Sequence, residues 1–203
     1  MKKTLLAVAL ATASLAAYAD SITTLHNTGA GLNAGDADAN YMLNSNPGVV
    51  ASNAYPLAPA GSWVANSGTS QWISATADAA ATQPAGNYTW TTMFDLGAYD
   101  PTSASFSGFF AADDSVTDIM LNTTHLTLTA PGTYSAFTGF GATSGFVAGS
   151  NTLSFVVNNT GGPSGLRVEF DQTSVSMVPE PETYGMLLAG LGLMGFLARR
   201  RKA

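Results

Sequence analysis

The chain has 203 residues, no cysteine, and a charged fraction of 10%, against roughly 25% in an average soluble domain. Without cysteine there is no disulfide framework, no thiolate metal site and no cysteine nucleophile. A formal net charge of −6 argues against the basic footprint of a nucleic-acid binder.

Residues 1–19 read MKKTLLAVALATASLAAYA. Lys2 and Lys3 supply a positive start, Leu5 to Leu10 begin an apolar run, and Ala17-Tyr18-Ala19 has the small-x-small form of a signal-peptidase site, with Ala17 and Ala19 as its small residues. Export and a mature start at Asp20 are expected. Residues 20–85 are rich in Gly, Asn, Ala and Pro and poor in apolar runs. They predict a loop-rich N-terminal part of the ectodomain, with one or two strands near Tyr41–Leu43 and Gln71–Ser74. Trp63, Trp72 and Ile73 indicate that some of this part packs.

From residue 86 the period changes to two. Tyr88, Trp90, Thr92, Phe94 and Leu96 share a face; so do Ala104, Phe106, Gly108 and Phe110. Leu126 and Leu128 alternate with Thr. Tyr134, Ala136 and Phe140 share the next face, and Leu153, Phe155 and Val157 another. Leu166, Val168 and Phe170 alternate with Arg167, Glu169 and Asp171. Turn residues separate the runs: Pro131-Gly132, Gly149-Ser150-Asn151, and Asn158 to Gly165. The pattern predicts an all-β jelly-roll or β-sandwich core over 86–178.

Residues 179–203 are set apart. Thr183 to Ala198 is an uncharged, mostly apolar stretch, and Arg199, Arg200, Arg201 and Lys202 follow it. A basic cluster after an apolar span stays on the cytoplasmic side, so a C-terminal transmembrane helix is expected. With both ends set aside, residues 20–182 hold one arginine against thirteen carboxylates, a formal charge of −12. Charge alone will not draw this part to an anionic polymer. Neutral glycans, or anionic ones bridged by a divalent cation, fit it better.

Val178-Pro179-Glu180-Pro181, the apolar span and the Arg-rich tail together resemble the PEP-CTERM sorting signal of exopolysaccharide-producing Gram-negative bacteria. The resemblance implies an inner-membrane anchor held transiently, cutting by an exosortase near the motif, and a product at the cell surface or in the extracellular matrix. Signal peptidase and exosortase are then the processing partners. A second resemblance runs over residues 86–171. GNYTWTTMFDL at 86–96, DDSVTDIMLN at 113–122 and GSNTLSFVVNN at 149–159 are similar to the galactose-binding-domain-like jelly roll. Thr123 stands where that pattern has a turn glycine. Such folds bind ligands, and fold alone does not fix which.

Candidate chemistry is sparse. Two histidines and no cysteine are too few for an ordinary zinc site. His125 alternates with Leu126 and is expected in solvent. Asp113, Asp114 and Asp118 form one acidic cluster, and Asp36 and Asp38 with Asn40 form another. Oxygen ligands suit Ca²⁺, so calcium is weighed for either cluster, although Asp and Asn more commonly bond their own turns. Tyr41 and Pro47 break an EF-hand reading of the second. Trp63, Trp72 and Tyr55 are the candidates for stacking on sugar, with capping of one end of the sandwich the other reading of the two tryptophans, whereas Trp90 reads as core. Asp95 and Glu169 are the pair a glycosidase would need, but nothing in the sequence brings them together. The expectation is a non-enzymatic, exosortase-sorted exported protein that contacts exopolysaccharide. The alternatives are a passive biofilm or surface structural protein, and a secreted polysaccharide hydrolase.

Overall fold

The computed structural model describes residues 19–45, 47, 52–78, 80–178 and 181–200. The signal peptide up to Tyr18, with Ala17, lies outside the described residues, as do Pro179, Glu180, Arg201 and Lys202. The described residues form strands β1 (Ala19–Asp20), β2 (Asp38–Ser45), β3 (Ser52–Leu57), β4 (Trp72–Ser74), β5 (Gly86–Asp95) and β6 (Tyr99–Asp113). Then come β7 (Ser115–Leu121), β8 (Thr124–His125), β9 (Thr138–Ala142), β10 (Ser150–Asn159), β11 (Gly165–Met177) and helix α1 (Pro181–Arg200).

The strands join antiparallel in the order β8-β7-β10-β5-β2-β3-β4-β11-β6-β9, with β1 added to β11. The sheet curls at β3. Ser52, Asn53 and Ala54 pair with β2, while Tyr55, Pro56 and Leu57 pair with β4. A strand that changes partner midway turns a corner. Pro56, which has no amide hydrogen to donate, lies just past that change.

The curl brings the two ends of the sheet face to face over one core. Phe140 on β9 lies 5.3 Å from Phe155 on β10, centroid to centroid, and touches Phe106, Phe110 and Phe170 as well. Phe146 wedges between Phe94 on β5 and Phe106 on β6. These edge-on contacts each add about 0.5–1.5 kcal/mol beyond area burial. Trp90 is core, as its alternation requires. Gly108 is needed where β6 meets β11, because a Cβ there would stand 2.5 Å from the Glu169 carbonyl oxygen.

Four expectations change. Residues 20–85, expected as loops with one or two strands, hold β2, β3 and β4, which fill the middle of the sheet, and Tyr41, Leu43, Ile73 and Ala54 enter the main core. The run at 126–128 keeps its inward leucines but not its strand; β8 ends at His125 because the pairing with β7 stops there. The next strand begins at Thr138, and Tyr134 is exposed. The C-terminal transmembrane expectation is also corrected: among the described residues no helix is long and apolar enough to cross a membrane. Gly185, Gly190, Gly192 and Gly195 dilute the apolar character of α1.

Phe140→Ala should cost about 3–5 kcal/mol, read as a shift of the urea midpoint at constant slope. An unchanged midpoint would show that the aromatic cluster does not close the curl.

Candidate functional site

The sheet places the two ends of the exported segment side by side. Asp20, the expected mature start, pairs with Val175, and Ala19 before it with Ser176. Residues further in follow the same edge: the Ile22 amide donates to Thr173 Oγ1 at 2.9 Å, the Phe170 amide to Asn27 Oδ1 at 2.7 Å, and the Val168 amide to Thr28 Oγ1 at 3.0 Å. The chain from 19 to 28 is thus laced along β11. One residue past β11, Val178 is 51% exposed, and its amide reaches the Ala98 carbonyl. Pro181 opens α1, and Arg199 and Arg200 occupy its last turn. Leu187, Leu188, Leu191, Leu193, Met194, Phe196 and Leu197 are all at least half exposed, an apolar surface that nothing in the domain covers.

The tryptophans proposed for sugar stacking are not available for it. Trp72 is fully buried and Trp63 nearly so. Their rings face each other at 4.2 Å. Trp63 Nε1 donates to Asp113 Oδ2 at 2.8 Å, and Trp72 Nε1 to the Val64 carbonyl at 2.7 Å. They form a small second core with Leu57 and Ala111, since a buried indole needs both packing and a partner for its N–H. Tyr55 is half-buried on β3.

The acidic clusters are also spent within the fold. Asp36 accepts the backbone and side-chain N–H of Asn33, and Asp38 accepts the amides of Gly29 and Asn40. Asp114 accepts both the amide and the hydroxyl of Thr160. Asp118 pairs with the exposed His125 across the β7–β8 hairpin at 2.9 Å. Among the described residues no group of three or more His, Cys, Asp or Glu could hold a metal ion. The structure therefore does not gather Asp113, Asp114 and Asp118, or Asp36 and Asp38, into a calcium site. Burial, reinforced by neighbouring Asp114, pushes the Asp113 carboxyl up to about 6, against the opposing bond from Trp63. Burial alone would raise Asp114, but its bonds from Thr160 prevail and hold it low.

Alternation along β11 points Arg167 away from the core, toward solvent, yet it is 2% exposed. The 64–71 loop folds over it. Its Nε donates to Ser70 Oγ at 2.8 Å, Nη2 to Ser67 Oγ at 3.0 Å, and Nη1 to the Ala65 carbonyl. Nη2 lies 3.4 Å from Glu169 Oε2, which also accepts from Ser70 Oγ at 2.7 Å. For Glu169, burial is outweighed by the Ser70, Thr69 and Arg167 contacts, which hold the carboxyl low. Glu169 is thus a partner of Arg167, and Asp95 is engaged at its own turn by the Gly97 amide. The guanidinium carbon also sits 4.8 Å from the Phe137 ring centroid.

Phe137 leads to an exposed aromatic surface away from the two tryptophans. Phe109 on β6 is 43% exposed, Phe137 is 37% exposed, and their rings lie 6.2 Å apart. Beside Phe109 is a trough of about 410 Å³ lined by Ser107, Thr127, Thr129, Gly139 and Gly141 among others. A second, more polar groove of about 990 Å³ runs past Asp20, His26, Ser105, Thr143 and Asp171. Ser107 borders both. The signal was present in the sequence: if Phe106, Gly108 and Phe110 face inward, Phe109 faces out.

Between pH 4 and 6 the folded Asp113 retains a proton that the unfolded carboxyl, near 3.8, has released. Its contribution to stability is therefore fully present below that window and is lost as pH rises through about 6. Asp113→Asn, which can still accept from Trp63, should flatten this part of the urea-stability profile; an unchanged slope would contradict the assignment. Arg167→Met should cost about 2–4 kcal/mol by leaving Ser67, Ser70 and Glu169 without their donor, measured by the same unfolding.

Residues 178–202 match the PEP-CTERM protein-sorting motif. No curated protein and no solved structure matches the chain. The motif supports export of the chain and its processing by an exosortase, with transient anchoring in the membrane before the cut.

Proposed function

We propose that the chain is a non-catalytic protein sorted to the cell surface or extracellular matrix of a Gram-negative bacterium, where its β domain contacts exopolysaccharide. The observation that carries this reading is the sorting motif, which begins one residue after the last strand of the domain. Residues 178–180 reach at most roughly 10 Å between Met177 and α1. Before cutting, the folded domain therefore hangs close against the membrane interface. The pairing of Asp20 with Val175 sets the expected mature start beside the strand that leads into the sorting motif.

The galactose-binding-like jelly roll belongs to the same reading. What supports it is the antiparallel curled sheet and the use made of the 149–159 segment. Asn151 is fully buried: its side chain bonds Val147 and Gly149 and accepts from Asn122, so one residue fixes both the loop before β10 and the turn after β7. Asn122 takes a positive φ of 54° at that turn, which Asn tolerates better than most residues.

In cells with an intact exosortase, the full chain should be recovered in cut form from the surface or matrix fraction. A chain ending at Val178 should pass into the medium unretained, and loss of the exosortase should leave the full chain uncut in the membrane fraction. Identical distribution of both chains in both strains would refute the sorting role.

A further inference from the structure

We propose that the outer face of β6, centred on Phe109 and the Gly139 trough, is a binding site for an extended neutral glycan chain; this rests on the exopolysaccharide reading above. β6 turns Ser105, Ser107 and Phe109 outward in succession, and two residues of strand advance about 6.6 Å. The face therefore offers a row of hydroxyls that ends on an exposed aromatic ring. Ser107 lies in both grooves, so they adjoin along the strand and suit a chain lying across the face rather than a single sugar in a closed pocket.

Gly139 is the second observation. It pairs with Phe109, and a Cβ there would meet nothing nearer than the Gly108 carbonyl oxygen at 4.0 Å. The fold does not need glycine at this place, and glycine inside a strand is less stable than alanine by about 0.5–1 kcal/mol. Gly141 differs, because a Cβ there would stand 2.8 Å from the Phe106 carbonyl oxygen. A strand glycine without a packing reason leaves room for a close approach from outside. A Cβ at 139 would rise beside the Phe109 ring, where the flat apolar face of a sugar would lie. Thr127 and Thr129 supply hydroxyls at the rim.

The platform is held in place beforehand. Arg167 lies against the Phe137 ring and is itself fixed by Ser67, Ser70 and the Ala65 carbonyl. The charges select the ligand class. Glu169 pairs across from Phe109, and Asp20 and Asp171 line the adjoining groove. Arg167, the one Lys or Arg between 20 and 182, is buried and already engaged, and His26 lines the polar groove but not the trough beside Phe109. An anionic polymer meets carboxylates and no exposed Lys or Arg here, whereas a neutral one meets hydroxyls and an aromatic face.

The test uses the processed protein recovered from its host, with Phe109→Ala and Gly139→Val variants, titrated calorimetrically with the neutral and the anionic fractions of the host's secreted polysaccharide. The neutral fraction should bind wild type, and each variant should weaken binding about tenfold or more. Gly139→Val should unfold no earlier than wild type; should it fail to fold, Phe109→Ala, which alters an exposed ring, carries the test alone. Equal binding by all three proteins would move the site elsewhere and leave the glycan reading standing. No binding of either fraction by wild type would overturn the site and the glycan reading together, with sorting judged separately by its own experiment. Binding of the anionic fraction alone would overturn the neutral class. A dimer that Phe109→Ala converts to monomer would assign the face to a second copy of the chain and overturn the proposal.

Discussion

β11 is covered on both edges along most of its length. β6 pairs with it from Gly165 to Met177, while β4, the 22–28 segment and β1 take the other side in turn. The last strand of the domain is therefore an interior strand, and the curl cannot close until the chain has been delivered almost to the sorting motif. Non-local pairing of this kind must offset the entropy of closing long loops before it contributes stability. In an exported chain that constraint orders events: the domain closes as its last strand emerges, and closure leaves the tail next to the start of the mature chain.

The same strand organises the outer surface. Arg167 and Glu169 project from β11 away from the core, and the loop between Trp63 and Trp72 folds down over them. A buried cation is costly unless its donors are filled, and here serine hydroxyls, a carbonyl and a carboxylate fill them. The indoles of Trp63 and Trp72 are drawn inward in the process. The aromatic surface left outside is Phe109 and Phe137, next to a strand that carries glycine where nothing inside the fold demands it. The sorting motif and the proposed binding face thus lie toward opposite ends of one strand.

Much of this was legible in the residues. The alternation of Leu153, Phe155 and Val157 and of Leu166 and Val168 gives the buried face of β10 and β11 directly, because successive side chains in a strand point to opposite faces. The tail was legible for a different reason: motif, apolar run and basic cluster are contiguous, so no tertiary contact is needed to read them. The partner switch within β3 was not legible, since a strand that divides its pairing between β2 and β4 has no distinct period. The burial of Arg167 was not legible, because alternation gives the face of a strand but not what later folds over that face. Trp63 and Trp72 stayed open between stacking and capping for the same cause: an indole outside the alternating runs can point out to a ligand or in toward Asp113 and Val64, and only the fold decides. The acidic clusters looked like ligand sets because turn-bonding carboxylates and calcium ligands share the same residue types.

The central dependence is that residues 20–28 and β11 form one cooperative unit with the core. Amide hydrogen exchange on the processed protein tests it most directly. The amides of Val168 and Phe170 are bonded to Thr28 and Asn27 rather than to a neighbouring strand. They should exchange as slowly as the core amides of β10, at the rate set by global unfolding. Exchange of these two a hundredfold or more faster than β10 would show that the N-terminal segment peels away on its own. β11 would then no longer be the strand on which closure and the placing of the tail both depend.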